Sequence, residues 1–312
     1  MLKVLLTALN ARYVHTNLAV RYLRAALDES FVVETKEYTI NHHPSAIVQE
    51  IYGFQPEVAA FSCYIWNIEL ILKIITSLKK VLPETIIVLG GPEVTFEPRK
   101  LMHQFDCIDF IISGEGETAW STLLHALKNN DDYSRLPAIT FRVRGNLYQN
   151  PVSGIPLSEN QVPHPYSNGE IFENNRIYYY ETTRGCPFHC QFCLSGYDNK
   201  VRGLSLERVF TELKYLINAR VKQVKLVDRT FNLETYRTLA IWRFLKEHDN
   251  GITNFHFEIN AGLLNDEMID FLSTVPDGLF QFEIGVQTTN GPSLEAIKRQ
   301  GNQEKEFDVI RQ

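Results

Sequence analysis

Over roughly its first 130 residues the chain alternates short apolar runs with stretches whose apolar positions recur at helical spacing. Unbroken apolar runs fit strands buried on both faces, and their alternation with amphipathic helices predicts a parallel sheet covered by helices. Strands are predicted at Lys3–Leu9, Val32–Thr39, Val58–Ser62, Ile86–Leu89 and Ile108–Ser113. Helices are predicted near Leu18–Leu27, Ser45–Tyr52, Ile68–Val81, Pro98–His103 and Thr118–Lys128. Five strands with helices between them predict an α/β domain of Rossmann-like or flavodoxin-like type over residues 1–135, with ligands at the carboxyl ends of the strands. Three of those ends carry glycine-rich or polar loops: Ser62-Cys63-Tyr64, Gly90-Gly91-Pro92-Glu93 and Gly114-Glu115-Gly116-Glu117.

Two strand-like runs, Ala138–Val143 and Leu147–Asn150, flank Gly145-Asn146 and predict a hairpin. Pro151, Pro156, Pro163 and Pro165 then mark an extended linker, so residues 136–175 read as hairpin and linker. From residue 176 to 312 the pattern is strand then helix, four times over: Ile177–Thr182 with Leu206–Ala219, Val224–Val227 with Leu233–His248, Phe255–Ile259 with Asp266–Thr274, and Leu279–Val286 with Leu294–Arg299. That rhythm predicts a partial (β/α) barrel of about four units, with its chemistry on the loops after the strands. An unclosed barrel leaves a sheet edge and a face to be covered.

Length and composition agree with this division. A chain of 312 residues accommodates two domains, and 44% hydrophobic with 22% charged residues is ordinary for a globular protein. The formal charge of −6 argues against a dominant nucleic-acid surface. The apolar start Met1–Thr7 is too short for the core of a signal peptide and reads as a first buried strand, and no membrane span is expected. Five cysteines, three of them clustered, do not form a disulfide framework, which predicts a reducing, cytoplasmic setting. Cys63 and Cys107 read as small packing residues.

The strongest chemical signal is the run Arg184-Gly185-Cys186-Pro187-Phe188-His189-Cys190-Gln191-Phe192-Cys193, in which C-x3-C-x2-C places three thiolates on one short loop. Soft thiolates select iron-sulfur clusters or zinc. A structural zinc needs a fourth protein ligand, and His189, adjacent to Cys190, should point away from a shared centre. An iron centre with one open position is the better reading, with zinc or inert thiols as alternatives.

The loop resembles the signature of the radical S-adenosylmethionine (SAM) enzymes, with Phe192 in its aromatic position. The resemblance implies that Cys186, Cys190 and Cys193 hold a 4Fe-4S cluster whose unique iron is chelated by SAM. Radical SAM barrels usually have six units, so four is short of the family pattern. The family places polar side chains from strand ends around SAM, which implies contacts from Phe192, Asp228, Glu258, Glu283 and Gln287. Inward carboxylates are costly in a barrel unless bonded or bound to a ligand, although any one of them could be a structural salt-bridge partner.

With such a loop downstream, the first domain resembles the cobalamin-binding domain found in many of these enzymes. That implies corrin contacts from Ser62, Gly90, Gly91, Pro92, Gly114 and Glu115, the glycines letting the nucleotide tail approach the backbone. The bland alternative is that they serve only turns and helix starts. A side chain at Gly91 is expected to block the tail while leaving the domain folded. The D-x-H-x-x-G motif that supplies a lower histidine ligand to cobalamin is absent: the loop after the first strand reads Asn10-Ala11-Arg12-Tyr13-Val14-His15-Thr16-Asn17-Leu18. The resemblance therefore implies cobalamin without its usual histidine, and His15 reads as a surface or supporting residue, with reach to the lower face of the metal as the alternative.

The resemblance implies a radical SAM enzyme that cleaves SAM to a 5′-deoxyadenosyl radical, with cobalamin carrying a methyl group to an unactivated carbon. A small-molecule or peptide substrate and an electron donor such as flavodoxin or ferredoxin are the implied partners. The rivals are a non-catalytic cofactor-binding scaffold and a methylthiotransferase. The latter carries a second cluster on three N-terminal cysteines, whereas the N-terminal half here has only Cys63 and Cys107.

Overall fold

The computed structural model describes residues 1–152, 157–167, 169–198, 200–299 and 303–311. Pro156 of the linker lies outside them. The chain divides into two compact units, Met1–Ile171 and Phe172–Gln312.

The first unit is built on β1 (Leu2–Asn10), β2 (Phe31–Thr39), β3 (Val58–Ser62), β4 (Ile86–Gly90), β5 (Phe110–Ile112), β6 (Ile139–Val143) and β7 (Asn146–Gln149), in the order β2-β1-β3-β4-β5-β6-β7. β1 to β5 are parallel, whereas the hairpin β6–β7 joins antiparallel beside β5. Helices α1 (Leu18–Ala25), α2 (Pro44–Phe54), α3 (Ile68–Val81), α4 (Pro92–Thr95), α5 (Pro98–Gln104) and α6 (Glu117–Asn129) complete it. The unbroken apolar strands feed two cores. Leu5, Phe61, Leu89 and Ile111 pack with Ile51, Ile74, Leu78 and Met102 of α2, α3 and α5. On the other face Val4, Leu6, Ala60 and Val88 pack with Val20 of α1 and Trp120 and Leu124 of α6. Fully burying one such aliphatic side chain contributes about 1.5–3 kcal/mol.

The second unit has four parallel strands, β8 (Ile177–Tyr180), β11 (Gln223–Leu226), β12 (Asn254–Ile259) and β13 (Phe280–Ile284), in the order β13-β12-β11-β8, and the sheet is not closed. A two-stranded antiparallel ribbon, β9 (Thr183–Arg184) with β10 (Arg202–Gly203), brackets the cysteine loop. Helices α7 (Leu206–Asn218), α8 (Thr235–Glu247), α9 (Asp266–Leu272), α10 (Gly291–Ala296) and α11 (Gln303–Arg311) follow. One sheet face is apolar: Phe257, Phe280 and Phe282 gather with Phe231 and Phe271 around the buried Trp242 of α8. Residues of the opposite register, Tyr179, Lys225, His256, Glu258 and Glu283, line the other face. Helix α10 begins three residues before the predicted Leu294 because Asn290 caps it, its side chain accepting from Ser293 N.

Candidate functional site

In the first unit the register aligns the predicted strand ends: Ala8 pairs with Ser62, Ser62 with Gly90 and Gly90 with Ile112. The strand order reverses between β1 and β3, which opens a crevice at their carboxyl ends. Asn67 holds that point, its Nδ2 donating to Leu9 O and Ser62 O, both at 3.0 Å, while Oδ1 accepts from Tyr64 N at 2.7 Å. Tyr64 and Trp66 stack with ring centroids 4.5 Å apart, and the intervening Ile65 is 78% exposed. Such an apolar platform at strand ends suits a large, flat, partly apolar ligand. The strand-end loop Ser62-Cys63-Tyr64 was legible in the sequence, whereas Ile65, Trp66 and Asn67 were not, although the aromatic pair flanking Ile65 marks them.

Gly90 ends β4, and Pro92 starts α4 one residue past Gly91. Gly91 has φ +111°, and a Cβ there would lie 2.5 Å from Cys63 O and 3.0 Å from Cys63 N. The glycine is demanded by its own domain, contrary to the expectation that a side chain at Gly91 would spare the fold. Gly114 N donates to the Thr95 hydroxyl at 3.3 Å, and Glu115 Oε2 accepts from Leu157 N at 3.1 Å, so the loop after β5 is tied down at two points. Burial pushes the Cys63 thiol well above its ordinary pKa, which keeps it an inert packing residue.

In the second unit the cysteine loop leaves the end of β8. Gly185 has φ +89°, and a Cβ there would meet Lys200 O at 2.3 Å, so only glycine lets the loop close on its returning strand. Cys186 N donates to Asp198 O at 2.9 Å and Cys193 N to Cys190 O at 3.0 Å. Cys186 and Cys190 are buried, whereas Cys193 and Phe192 are exposed. Among the described residues no three His, Cys, Asp or Glu side chains crowd closely enough to share one ion. In a four-iron cluster each cysteine ligates a different iron, and the loop supplies three thiols for three of them.

The proposed SAM contacts do not form one group. Glu258 and Glu283 share the polar sheet face, and both pair with Lys225, whose Nζ lies 3.0 Å from Glu258 Oε1 and 2.7 Å from Glu283 Oε2. His256 Nε2 lies 3.5 Å from Glu283 Oε2. Burial alone would lower the Lys225 pKa, but its bonds to Glu283 and Glu258 outweigh this and raise it above 10.5. The same bond holds Glu283 below 4.5, and burial followed by the Lys225 charge puts His256 below 6.5. Lys225 and His256 escaped the sequence reading, although they fall in the same alternating register as Glu258. Gln287 adopts φ +66° beyond β13, with its Nε2 over Gly285.

Asp228 departs from its expected role. It has no exposed surface, and its carboxylate accepts from Thr182 N at 3.0 Å, the Thr182 hydroxyl at 2.6 Å and the Thr183 hydroxyl at 2.7 Å. Burial raises its pKa, opposed by these bonds and by Arg237. A carboxylate so enclosed holds protein backbone in place and has no face open to SAM.

Sheet, glycine-bearing strand ends and cysteine loop together define a two-domain α/β protein built for a flat cofactor and an iron-sulfur cluster. Residues 4–124 match the B12 binding domain family and residues 180–312 match the Radical SAM superfamily. The chain therefore carries a cobalamin-binding domain followed by a radical SAM domain, a pairing that implies cobalamin, SAM and a 4Fe-4S cluster. It is 28% identical over 264 residues to the cobalamin-dependent radical SAM methyltransferase TokK of Streptomyces tokunonensis, an alignment covering 78% of this chain and 38% of that protein. It is 30% identical over 268 residues to the 2-(S-pantetheinyl)-carbapenam-3-carboxylate methyltransferase of Streptantibioticus cattleyicolor, again covering 78% and 38%. The chain thus spans well under half the length of these curated relatives. The fold is similar to that of OxsB, a cobalamin-dependent SAM radical enzyme solved with aqua-cobalamin and SAM bound, at TM-score 0.79 and 18% identity over 100% of this chain and 47% of that one. It is also similar to TsrM of Kitasatospora setae, solved with cobalamin and a [4Fe-4S] cluster, at TM-score 0.78 and 17% identity over 99% and 64%. No helix among the described residues is long and apolar enough to cross a membrane.

Proposed function

We propose that the protein is a cobalamin-dependent radical SAM methyltransferase acting on an unactivated carbon of a small-molecule or peptide substrate. The observation that carries this reading is the presence on one chain of a B12 binding domain and a Radical SAM domain, the latter with three cysteines on the loop after β8. In our reading residues 1–135 bind cobalamin, 136–175 form hairpin and linker, and 176–312 hold cluster and SAM. Bound together, these groups supply electron transfer to SAM and methyl delivery. Cys186, Cys190 and Cys193 would hold three irons, leaving the fourth for SAM. Ser62, Gly90, Pro92, Gly114 and Glu115 would border the corrin, while Gly91 keeps the loop after β3 in place. Glu258 and Gln287 would face SAM, with Lys225 fixing the Glu258 carboxylate. Phe192, exposed between two cysteines, would cover the cofactor and exclude water. A cytoplasmic setting and a flavodoxin or ferredoxin donor complete the reading.

Anaerobic reconstitution tests it. Wild type should take up about four iron and four sulfide per chain, and C190A should not. With cobalamin, SAM and a reductant, wild type should release 5′-deoxyadenosine. Stoichiometric zinc without iron uptake would overturn the assignment.

A further inference from the structure

A carboxylate without exposed surface is costly unless donors fill its oxygens. The donors to Asp228 come from one place, Thr182 and Thr183, which lie just before Cys186. Arg237 holds the same residue at its carbonyl, with Nη2 donating to Thr182 O at 3.0 Å. Two positions beyond Asp228, the Thr230 hydroxyl lies 3.7 Å from Cys186 Sγ. The turn after β11 therefore touches the cysteine loop twice, at its base through Asp228 and at its first sulfur through Thr230.

We propose that Asp228 is a positioning residue for the cysteine loop, that Thr230 donates a hydrogen bond to the Cys186 thiolate, and that the two together set the reduction potential of the cluster. This rests on the cluster reading above. The Thr230 hydroxyl now donates to Arg229 O at 2.8 Å. A thiolate at Cys186 is a charged acceptor that competes for that proton, and rotation about the C–O bond delivers it. Cluster potentials follow nearby charge and hydrogen bonds to sulfur. A fixed negative charge opposes the added electron and lowers the potential. A donor to the sulfur stabilises the electron-rich reduced state and raises it. The two residues thus pull in opposite directions.

The test uses the reconstituted protein, with midpoint potential and the electron paramagnetic resonance spectrum of the reduced cluster as readouts. D228N keeps the shape but removes the charge and sets an amide N–H against Thr182 N–H; its potential should rise. T230V keeps the shape and removes the hydroxyl; its potential should fall. T183V keeps the charge and deletes one donor to it, so its potential should also fall, and with T230V it carries the test should D228N fail to fold. A D228N protein that melts like wild type yet takes up less iron supports the positioning role. Potentials equal to wild type in iron-loaded variants, or D228N and T230V shifting the same way, would overturn the proposal alone. A wild type that takes up no iron overturns the cluster reading and this proposal with it.

Discussion

Replacing Gly91 by alanine should destabilise the first unit rather than act on cofactor binding alone. Its backbone, φ +111° and ψ 174°, lies in a region held almost only by glycine, so a side chain costs about 1–3 kcal/mol in strain. The new Cβ would also sit 2.5 Å from Cys63 O, a backbone atom that cannot swing aside. Relieving that contact costs about 1–3 kcal/mol more. Cys63 N donates to Gly90 O at 2.7 Å, so the shift reaches the pairing of β3 with β4. The sum, about 2–6 kcal/mol, is a large share of a typical stability of about 5–15 kcal/mol. For a unit of this size each kcal/mol lowers the melting temperature by about 2–4 °C, so G91A should melt at least about 4 °C early. G90A is the control, because a Cβ there meets nothing nearer than Ile112 O at 3.7 Å. Circular dichroism melts of the cofactor-free proteins decide the matter. G91A melting within about 1 °C of wild type, or G90A and G91A melting alike, would refute the reasoning.

Cobalamin bound to the protein and reduced to Co(II) should show no strong nitrogen splitting in its electron paramagnetic resonance spectrum, and H15A should leave that spectrum unchanged, since the loop has no aspartate at the usual offset to orient an imidazole ligand. Nitrogen triplets that vanish in H15A would make this a histidine-ligated site. The charged group on the open sheet predicts a pH profile for stability. Glu283, lowered below 4.5, stabilises above that pH and loses its contribution as pH falls through its folded value. His256, lowered below 6.5, costs stability on acidification because the unfolded state takes the proton first. Lys225, raised above 10.5, stabilises below that pH and loses its contribution as pH rises through its folded value. K225M should flatten the alkaline limb in urea melts across the pH range; an unchanged limb would mean that Lys225 gains nothing from its partners.

The periodic segments were legible because burial on both faces leaves an unbroken apolar run. Val58–Ser62 and Ile68–Val81 fall on their predicted limits, and the other strands of the first unit differ from prediction by at most two residues at either end. Periodicity assigns a face but not a partner. It placed Glu283 and Asp228 near strand ends, yet only the fold shows Glu283 paired to Lys225 across the intervening strand β12 and Asp228 bonded at the base of the cysteine loop. Helix α4 escaped because one turn is too short to show a period, and the ribbon β9–β10 because two-residue strands carry no alternation. Gly91 was legible as a constrained glycine, but the cause of the constraint, the Cys63 carbonyl, is a contact between different strand ends.

The hairpin β6–β7 determines where the chain leaves the first sheet. β6 starts beside the carboxyl end of β5, runs down the edge and turns, so that β7 returns the chain to the end bearing the glycine loops. There Pro151 O accepts from Ala138 N, and Leu157 N is clipped to Glu115. Pro151 and Leu157 are thus each fastened to the first unit, and tension on the chain beyond Leu157 would be felt first at Glu115. Amide exchange at Leu157 would register that pull before any change reached the strands.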